Sequence, residues 1–384
     1  MQSVARPLSD EDIAVERREY PGLDGRIFVD HAAVAQISRG VQRAMAEQTE
    51  RHVRDALLAS RQSAAVYDVG RERAAVLVGA RADRVAYVQN TSYGISLVAL
   101  GLDWRAGDNV VVPALEFPSN LLAWKALARR GIAVRQLDSH DGRVTADAVR
   151  GAIDDRTRIV AVSHVQFYSG YRVDLAALAA VCRTHDALLV VDGTQSVGAL
   201  TVDMRGDSVD VVVVSAHKWM LGPLGIGFMA LSDRAFERIM PPVVGWLSVN
   251  EPFAFRRELD LLPDARRFEP GTENAAGIYG LAERLRQIDA LGIDRIEATV
   301  LALTRRVVER AEAAGLDVRN PTGSGELSGI SLLRRHGVAP EALYAAIEAA
   351  GITASLRNGA VRISPHYYNT PDEIDQIIDV LRSA

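Results

Sequence analysis

The sequence predicts an α/β protein, with a large domain built on a mostly parallel sheet and a smaller α+β domain at its C-terminus. Between about residues 84 and 230, short apolar segments alternate with longer amphipathic ones, as expected for strands separated by helices. The apolar segments are rich in Val and Leu, which is typical of parallel strands covered on both faces. The alternation ends after about residue 241, and 384 residues are too many for one small core.

The alternating region supplies the elements of the large domain. The apolar segments predict strands at residues 85–88, 109–112, 133–136, 159–162, 187–191, 211–214 and 226–230. The amphipathic segments between them predict helices at residues 92–100, 120–130, 146–153 and 175–185. Strands that alternate with helices in this way indicate a doubly wound layout, with helices on both faces of one sheet.

The C-terminal part of the chain follows a different pattern. Residues 245–267 contain two prolines and no clear period, and a long helical stretch at about 275–313 is interrupted near Gly292. A strand, a helix, a second strand and a second helix are then predicted at residues 327–333, 340–350, 360–364 and 371–383. The predicted division is a large domain at 18–249 and a small domain at 250–384, with residues 1–17 packing on the small domain.

Composition excludes several classes of function. The net charge of −5 and the pI of about 6.0 indicate no basic surface for nucleic acid or for a membrane. The N-terminus is polar and no apolar run could cross a bilayer, so we expect a cytoplasmic protein. The one cysteine, Cys182, lies in an apolar helical segment. A single cysteine excludes an internal disulfide and a metal site built from cysteines. We expect Cys182 to be a buried core residue, and we expect no bound metal.

Two polar motifs follow predicted buried strands, and ligands of open α/β sheets bind at the ends of such strands. Asp192 ends one strand, and Lys218 closes the motif Ser215-Ala-His217-Lys218 after the next. A buried aspartate needs a cationic partner, and a buried lysine becomes a nucleophile towards an aldehyde. Pyridoxal 5′-phosphate (PLP) satisfies both, with its pyridine nitrogen on Asp192 and an internal aldimine on Lys218. Asp192 as a turn cap and Lys218 as a solvated charge are the alternative.

The motifs Asp-Gly-x-Gln-Ser and Ser-x-His-Lys resemble those of fold-type I PLP enzymes of the class V aminotransferase group. That group includes cysteine desulfurases, selenocysteine lyases, kynureninases and isopenicillin-epimerase-like proteins. The resemblance extends from the segment Phe28-Val-Asp-His31 to the segment Tyr368-Asn-Thr370. It implies the PLP-dependent transferase-like fold and a homodimer with shared active sites. Its motifs are specific for cofactor and fold, and less so for the reaction.

The resemblance also implies which residues hold the cofactor. Thr91 and Ser92 lie where a strand meets a helix, and a helix N-terminus suits a phosphate. They would bind the phosphate together with Ser215 and His217, although either could instead be an ordinary N-cap. Phe117 would stack on the pyridine ring where desulfurases have a histidine, since stacking needs only a flat aromatic face.

Four further residues are weighed for the cofactor. Gln195 would hydrogen-bond the phenolic oxygen of the ring. His164, at another strand end, is a candidate for the same site, with a structural role as the alternative. Desulfurases have, at the position of Phe167, an asparagine that contacts the phenolic oxygen. Gln166 could make that contact here. By the same resemblance, Thr272 would reach the phosphate bound by the partner subunit.

Two residues are predicted to contact the substrate. Arg362 is a lone arginine in an apolar strand and needs an anion, because a guanidinium is always charged. A substrate α-carboxylate can provide a bidentate partner, and the resemblance assigns this role; a structural salt bridge is the alternative. His31, next to Asp30, lies in a segment that resembles the family's substrate-pocket loop, so we expect it to face the substrate.

The sequence indicates the type of reaction less clearly than it indicates the fold and the cofactor. In desulfurases, the segment just before the strand of Arg362 carries a cysteine that forms a persulfide. The corresponding segment of this chain, residues 353–359, is short and contains no cysteine. We therefore expect an enzyme that acts on an α-amino acid through an external aldimine, as a C–S lyase or desulfurase-like lyase without that cysteine. A class V aminotransferase or an epimerase on a small amino acid stays open, because each reaction begins with Cα deprotonation and Lys218 can be the base. A non-catalytic aminotransferase-like sensor is disfavoured, because it would lack the lysine or carry a DNA-binding domain.

Overall fold

A computed structural model of the chain describes residues 5–139 and 141–384. Its α-helices are Asp10–Arg17 (α1), Arg39–Arg54 (α2), Ala56–Leu77 (α3), Thr91–Gly101 (α4), Ser119–Lys125 (α5), Ala146–Ala152 (α6), Leu175–Thr184 (α7), Asp233–Arg238 (α8), Ala275–Leu291 (α9), Ile293–Ala313 (α10), Pro340–Ala349 (α11) and Pro371–Ser383 (α12). Its strands are Ile27–Phe28 (β1), Val85–Val88 (β2), Asn109–Pro113 (β3), Ala133–Leu137 (β4), Thr157–Ser163 (β5), Leu188–Asp192 (β6), Val211–Ser215 (β7), Gly227–Leu231 (β8), Asp317–Val318 (β9), Ser331–Arg334 (β10), Ile352–Thr353 (β11), Ser355–Arg357 (β12) and Ala360–Ile363 (β13).

The large domain contains a seven-stranded sheet with the strand order β2-β8-β7-β6-β5-β3-β4. Strand β8 is antiparallel to both of its neighbours, and the other pairs are parallel. One face of this sheet packs on helices α3, α6, α7 and α9, and the other packs on α4, α5 and α8. The predicted α/β fold with a mostly parallel sheet is confirmed.

The three central strands β5, β6 and β7 end at one edge of the sheet. Ser163 pairs with Asp192 in the β5–β6 register, and Ser215 is the last residue of β7. Because parallel strands bring their carboxyl ends together, the last residues of these strands share one site.

The small domain is built on a four-stranded antiparallel sheet, β12-β13-β10-β9, which packs on helices α10, α11 and α12. Near the start of the chain, strand β1 pairs with β11 of this domain, and Ile27 and Val29 join its apolar core. Earlier in the chain, Leu8, Ile13, Tyr20 and Leu23 pack in a different cluster, which also contains Leu200 and Trp219 of the large domain.

Several residues beyond the predicted boundary at 249 pack on the large sheet. Ala265 and Phe268 pack on one face of the large sheet, and Ile278 of helix α9 packs on the other. The irregular, proline-containing stretch looks like a domain boundary in sequence, but the chain returns to the large domain after it. Helices α2 and α3, which pack on α9, are not among the predicted elements. No helix in the two described ranges is both long and apolar enough to span a membrane.

Candidate active site

A cleft of about 470 Å³ opens where the central strands of the large sheet face the β12–β13 hairpin of the small domain. It contains nine of the residues predicted for cofactor or substrate binding: Thr91, Ser92, Phe117, Asp192, Gln195, Ser215, His217, Lys218 and Arg362. The structure thus brings together residues that are up to 271 positions apart in the chain.

Two buried charges lie at the base of this cleft. Asp192 ends strand β6, and its Oδ1 accepts a hydrogen bond from the backbone N–H of Thr194 at 2.9 Å. Burial raises the pKa of Asp192 and lowers that of Lys218, while the Asp192 carboxylate partly offsets the shift of the lysine. Lys218 therefore has a larger fraction of neutral amine than a solvated lysine, which favours attack on an aldehyde.

A cluster of hydroxyl groups lies at the N-terminus of helix α4. The Thr91 hydroxyl is 2.6 Å from that of Thr194 and 2.8 Å from that of Ser215, and the Thr91 N–H donates to Ser215 Oγ. The side chain of Asn90 caps the helix, so neither Thr91 nor Ser92 is the N-cap. Thr194 was not predicted, although it stands two residues after Asp192 in the same motif. Hydroxyls grouped at a helix N-terminus suit a phosphate dianion.

An aromatic wall, formed by Phe117 and Phe167, borders the cleft. The two rings meet edge to face, with their centroids 5.2 Å apart. The Phe117 side chain is 39% exposed, and the Lys218 amine lies 5.1 Å from its ring centroid. Phe117 thus presents an aromatic surface beside the lysine, as the predicted stacking role requires.

Arg362 is 2% exposed and lines the cleft. Its Nη2 donates to Oδ1 of Asp30 at 3.1 Å, and the same oxygen accepts from Ser355 Oγ at 2.8 Å. Its Nε is buried without a hydrogen-bond partner among the described residues. The predicted alternative, a structural salt bridge, is therefore present, but it leaves part of the guanidinium for a ligand. Arg357 of the same hairpin also lines the cleft.

His31, predicted to face the substrate, is not among the residues that line the cleft. Its imidazole is fully buried, with Nδ1 2.8 Å from the carbonyl oxygen of Ser364 and Nε2 2.6 Å from the hydroxyl of Tyr368. Burial lowers the pKa of His31 to about 3. Both ring nitrogens therefore lie within hydrogen-bonding distance of groups of the small domain.

His164, for which a cofactor contact and a structural role were both considered, is buried beside the cleft, and its Nδ1 has no hydrogen-bond partner among the described residues. Ser163 at the end of strand β5 lines the cleft, but the next side chain, that of His164, is not among its lining residues. The His164 backbone N–H donates to the carbonyl oxygen of Asp192 at 3.0 Å, which joins the two strand ends. Burial lowers the pKa of its imidazole to about 3. The residue supports the site through its backbone.

The remaining polar candidates are arranged as follows. Gln195 lines the cleft, while its Oε1 accepts from the indole of Trp219 at 2.7 Å and its Nε2 donates to a backbone carbonyl. Gln166 does not line the cleft, and its amide donates to Glu116 at 2.8 Å. Thr272 lies outside the cleft of its own chain, in a separate cavity, so any contact with the phosphate would come from the partner subunit.

The cleft matches the chemical groups of PLP. The hydroxyl cluster at the N-terminus of α4 suits the phosphate, and the exposed face of Phe117 suits the ring. The buried carboxylate of Asp192 suits a protonated pyridine nitrogen, and the Lys218 amine suits the aldehyde carbon. Each of these side chains lines the same cleft.

Comparison with known proteins agrees with this arrangement. The family model for "Aminotransferase class-V" matches residues 27–377. The chain is 30% identical to a "Probable cysteine desulfurase" of Methanothermobacter thermautotrophicus, over 97% of this chain and 98% of that protein. The apo structure of a cysteine desulfurase from Thermococcus onnurineus NA1 is similar over 100% of this chain and 99% of that one, with a TM-score of 0.87 and 26% identity. The cystine C-S lyase C-DES, in complex with cysteine persulfide, shares the fold at a TM-score of 0.88 and 21% identity, over 94% and 99% of the two chains.

Proposed function

The chain belongs to the class V aminotransferase family, and from this premise we propose that it is a lyase that cleaves the C–S bond of a sulfur-bearing α-amino acid. It is an enzyme whose cofactor is PLP, which supplies an electron sink for negative charge at the substrate Cα. The observation that carries the assignment is the cleft that combines the Lys218 amine with the Asp192 carboxylate and the Arg362 guanidinium.

Each residue of the cleft has a defined task in this proposal. Asp192 would hold a proton on the pyridine nitrogen, and Thr91 and Ser215 would bind the phosphate. The Lys218 amine would hold the cofactor by its aldehyde carbon and would be the base for the Cα proton. Arg362 binds the α-carboxylate and so orients the Cα–H bond towards that amine.

The proposed lyase does not use a cysteine of its own to accept sulfur. Cys182, the one cysteine of the sequence, lies 1% exposed in helix α7. Burial raises the pKa of its thiol to about 12, which disfavours the nucleophilic thiolate. The β12–β13 connection consists of Asn358 and Gly359, both with positive φ, as in a two-residue hairpin turn. It is too short to carry a mobile cysteine-bearing loop.

The names of the relatives support a sulfur amino acid as the substrate, and a product assay tests this choice. The PLP-loaded protein is incubated with L-cysteine, L-cystine, L-alanine and L-serine. We expect pyruvate together with sulfide or a thiol species from the sulfur amino acids. Conversion of the cofactor to the pyridoxamine form with no sulfur release would favour the aminotransferase, and loss of optical activity alone would favour the epimerase.

Replacing Arg362 with alanine is expected to weaken amino-acid binding by ten- to a hundredfold. A charged bidentate contact contributes roughly 1.5–3 kcal/mol, which corresponds to this change in affinity. The measurement is the dissociation constant of the amino acid, titrated by the absorbance of the bound cofactor. Cofactor content should stay unchanged, because the hydroxyl cluster and Lys218 are untouched. If the variant binds the amino acid as tightly as the parent, Arg357 becomes the candidate for the carboxylate.

We also propose that two copies of the chain form a dimer with shared sites. The segment before helix α9 exposes large apolar side chains at Trp246, Phe253, Phe255 and Leu259, and an apolar patch of this kind is typical of an interface. Mixing the Lys218→Ala and Thr272→Ala proteins tests this arrangement. One site of a mixed dimer would combine an intact lysine with an intact threonine from the other copy, so activity should rise on mixing. Activity equal to the mean of the two variants would contradict a shared site.

A further inference from the structure

Glu116 is a buried carboxyl that the proposed mechanism does not use. It follows strand β3, directly precedes Phe117, and is 5% exposed. Its Oε1 accepts from the backbone N–H of Ser163 at 2.6 Å and from Nε2 of Gln166 at 2.8 Å, and its Oε2 is 2.5 Å from Ser163 Oγ. One side chain thus bonds three groups of residues 163–166, at the end of strand β5.

A buried carboxyl at this position lowers the stability of the folded protein, because it loses its solvation. Burial raises the pKa of Glu116 to about 7, and the nearby carboxylate of Asp192 raises it further. An apolar side chain of similar volume would avoid the loss of solvation that a buried charge or polar group suffers. The cost is offset by the three hydrogen bonds, and all of them tie Glu116 to one neighbouring segment.

The two segments that Glu116 joins carry the aromatic wall. Phe117 is the next residue along the first segment, and Phe167 follows Gln166 in the second. Their rings meet edge to face, and both line the cleft. The hydrogen bonds of Glu116 therefore fix the distance between the two loops that carry these rings.

We propose that Glu116 is the positioning residue of the aromatic wall, holding the Phe117 ring in place to cover the cofactor. Through its bonds to Ser163 and Gln166 it sets where the Phe117 loop lies relative to the Phe167 loop. The inference goes beyond the proposed reaction, since it applies to PLP bound in this cleft whichever substrate follows.

Glu116→Gln is the direct test. Glutamine has one acceptor oxygen and one amino group, so it cannot accept from all three neighbouring groups as the carboxylate does. The measured quantities are the rate of PLP release into a trapping apoenzyme and the visible circular dichroism of the bound cofactor. A stacking contact corresponds to roughly two- to tenfold in affinity, so we expect release to be faster by about that factor, as in Phe117→Ala.

A double-mutant cycle separates positioning from a general loss of stability. If Glu116 acts through Phe117, adding Glu116→Gln to Phe117→Ala should leave PLP release unchanged, because the shared contact is already lost. Glu297→Gln is the matched control: this glutamate also joins two segments, through Arg172 and Thr201, but neither of those partners lines the cleft, whereas the Glu116 partner Ser163 does. It should lower the melting temperature without altering release.

Several results would overturn the inference. Additive effects of the two substitutions would show that Glu116 acts independently of the ring, and a lower melting temperature with unchanged release would leave it a structural role only. If Glu116→Gln does not fold, Ser163→Ala removes one hydroxyl contact and is measured in the same way; unchanged release there also overturns the inference. A parent protein that binds no PLP would overturn the proposed function, and this inference with it.

Discussion

Replacing Lys218 with alanine is expected to abolish turnover and covalent attachment of the cofactor. The amine is predicted both to anchor PLP and to move the Cα proton, and proton transfer alone contributes roughly 10²–10⁴-fold. We therefore expect a loss of at least about 10³-fold in kcat, with PLP held only by non-covalent contacts. Borohydride reduction of the parent protein should bleach its visible band and leave a stable adduct on Lys218, which peptide mass spectrometry locates.

The chain provides its own control for this assignment. It contains two lysines, Lys125 and Lys218, and Lys125 is exposed at the end of helix α5, outside the cleft. Lys125→Ala should keep full activity and the same visible band. An adduct found on Lys125 of the parent, or a borohydride-fixed protein adduct in Lys218→Ala, would contradict the central assignment of the site.

Asp192→Asn is expected to lower kcat by roughly 10²-fold or more, about the scale of one acid–base contribution, while PLP stays bound. Asparagine keeps an oxygen that can accept from the Thr194 N–H, so the local backbone should be preserved. What is lost is the negative charge that keeps a proton on the pyridine nitrogen, and with it most of the electron withdrawal from Cα. The measurement combines kcat with the absorbance spectrum of the bound cofactor.

A second buried carboxyl serves as the control for this variant. Asp210 accepts from the Leu189 N–H and pairs with Arg234 at the opposite end of the sheet, away from the cleft. Asp210→Asn should reduce stability and leave kcat within about twofold. If Asp192→Asn behaves like this control, Asp192 is only a structural residue and the pyridine nitrogen has another partner.

The regular part of the fold and the base of the site could be predicted from sequence because they depend on local patterns. Buried parallel strands are continuous apolar segments, and the residues that follow them must lie at one edge of the sheet. Asp192, Lys218 and Ser215 were found in this way. Sequence alone could not show which side chains form contacts between distant segments.

His31 and His164 illustrate the limit. The partners of His31, Ser364 and Tyr368, lie more than 330 positions away, so no local pattern reveals that its imidazole is already bonded. Strand β5 is covered on both faces, so polarity cannot indicate whether Ser163 or His164 points into the cleft. The role of Glu116 was not predicted, because its bonds to Ser163 and Gln166 join segments that are far apart in the sequence.

The two-residue turn at Asn358 and Gly359 has a consequence for how such enzymes diversify. The turn is fastened to the large domain, since Asn358 Nδ2 donates to the carbonyl oxygen of Tyr168 at 2.7 Å, and the strands on either side carry Arg357 and Arg362. Lengthening a hairpin at its tip costs little free energy, because loop-closure entropy grows only slowly with length. A cysteine-bearing insertion at this point would add a sulfur acceptor while leaving the register of the strands intact. We therefore expect that a cysteine-bearing loop can be grafted at this turn without moving the residues of the cleft.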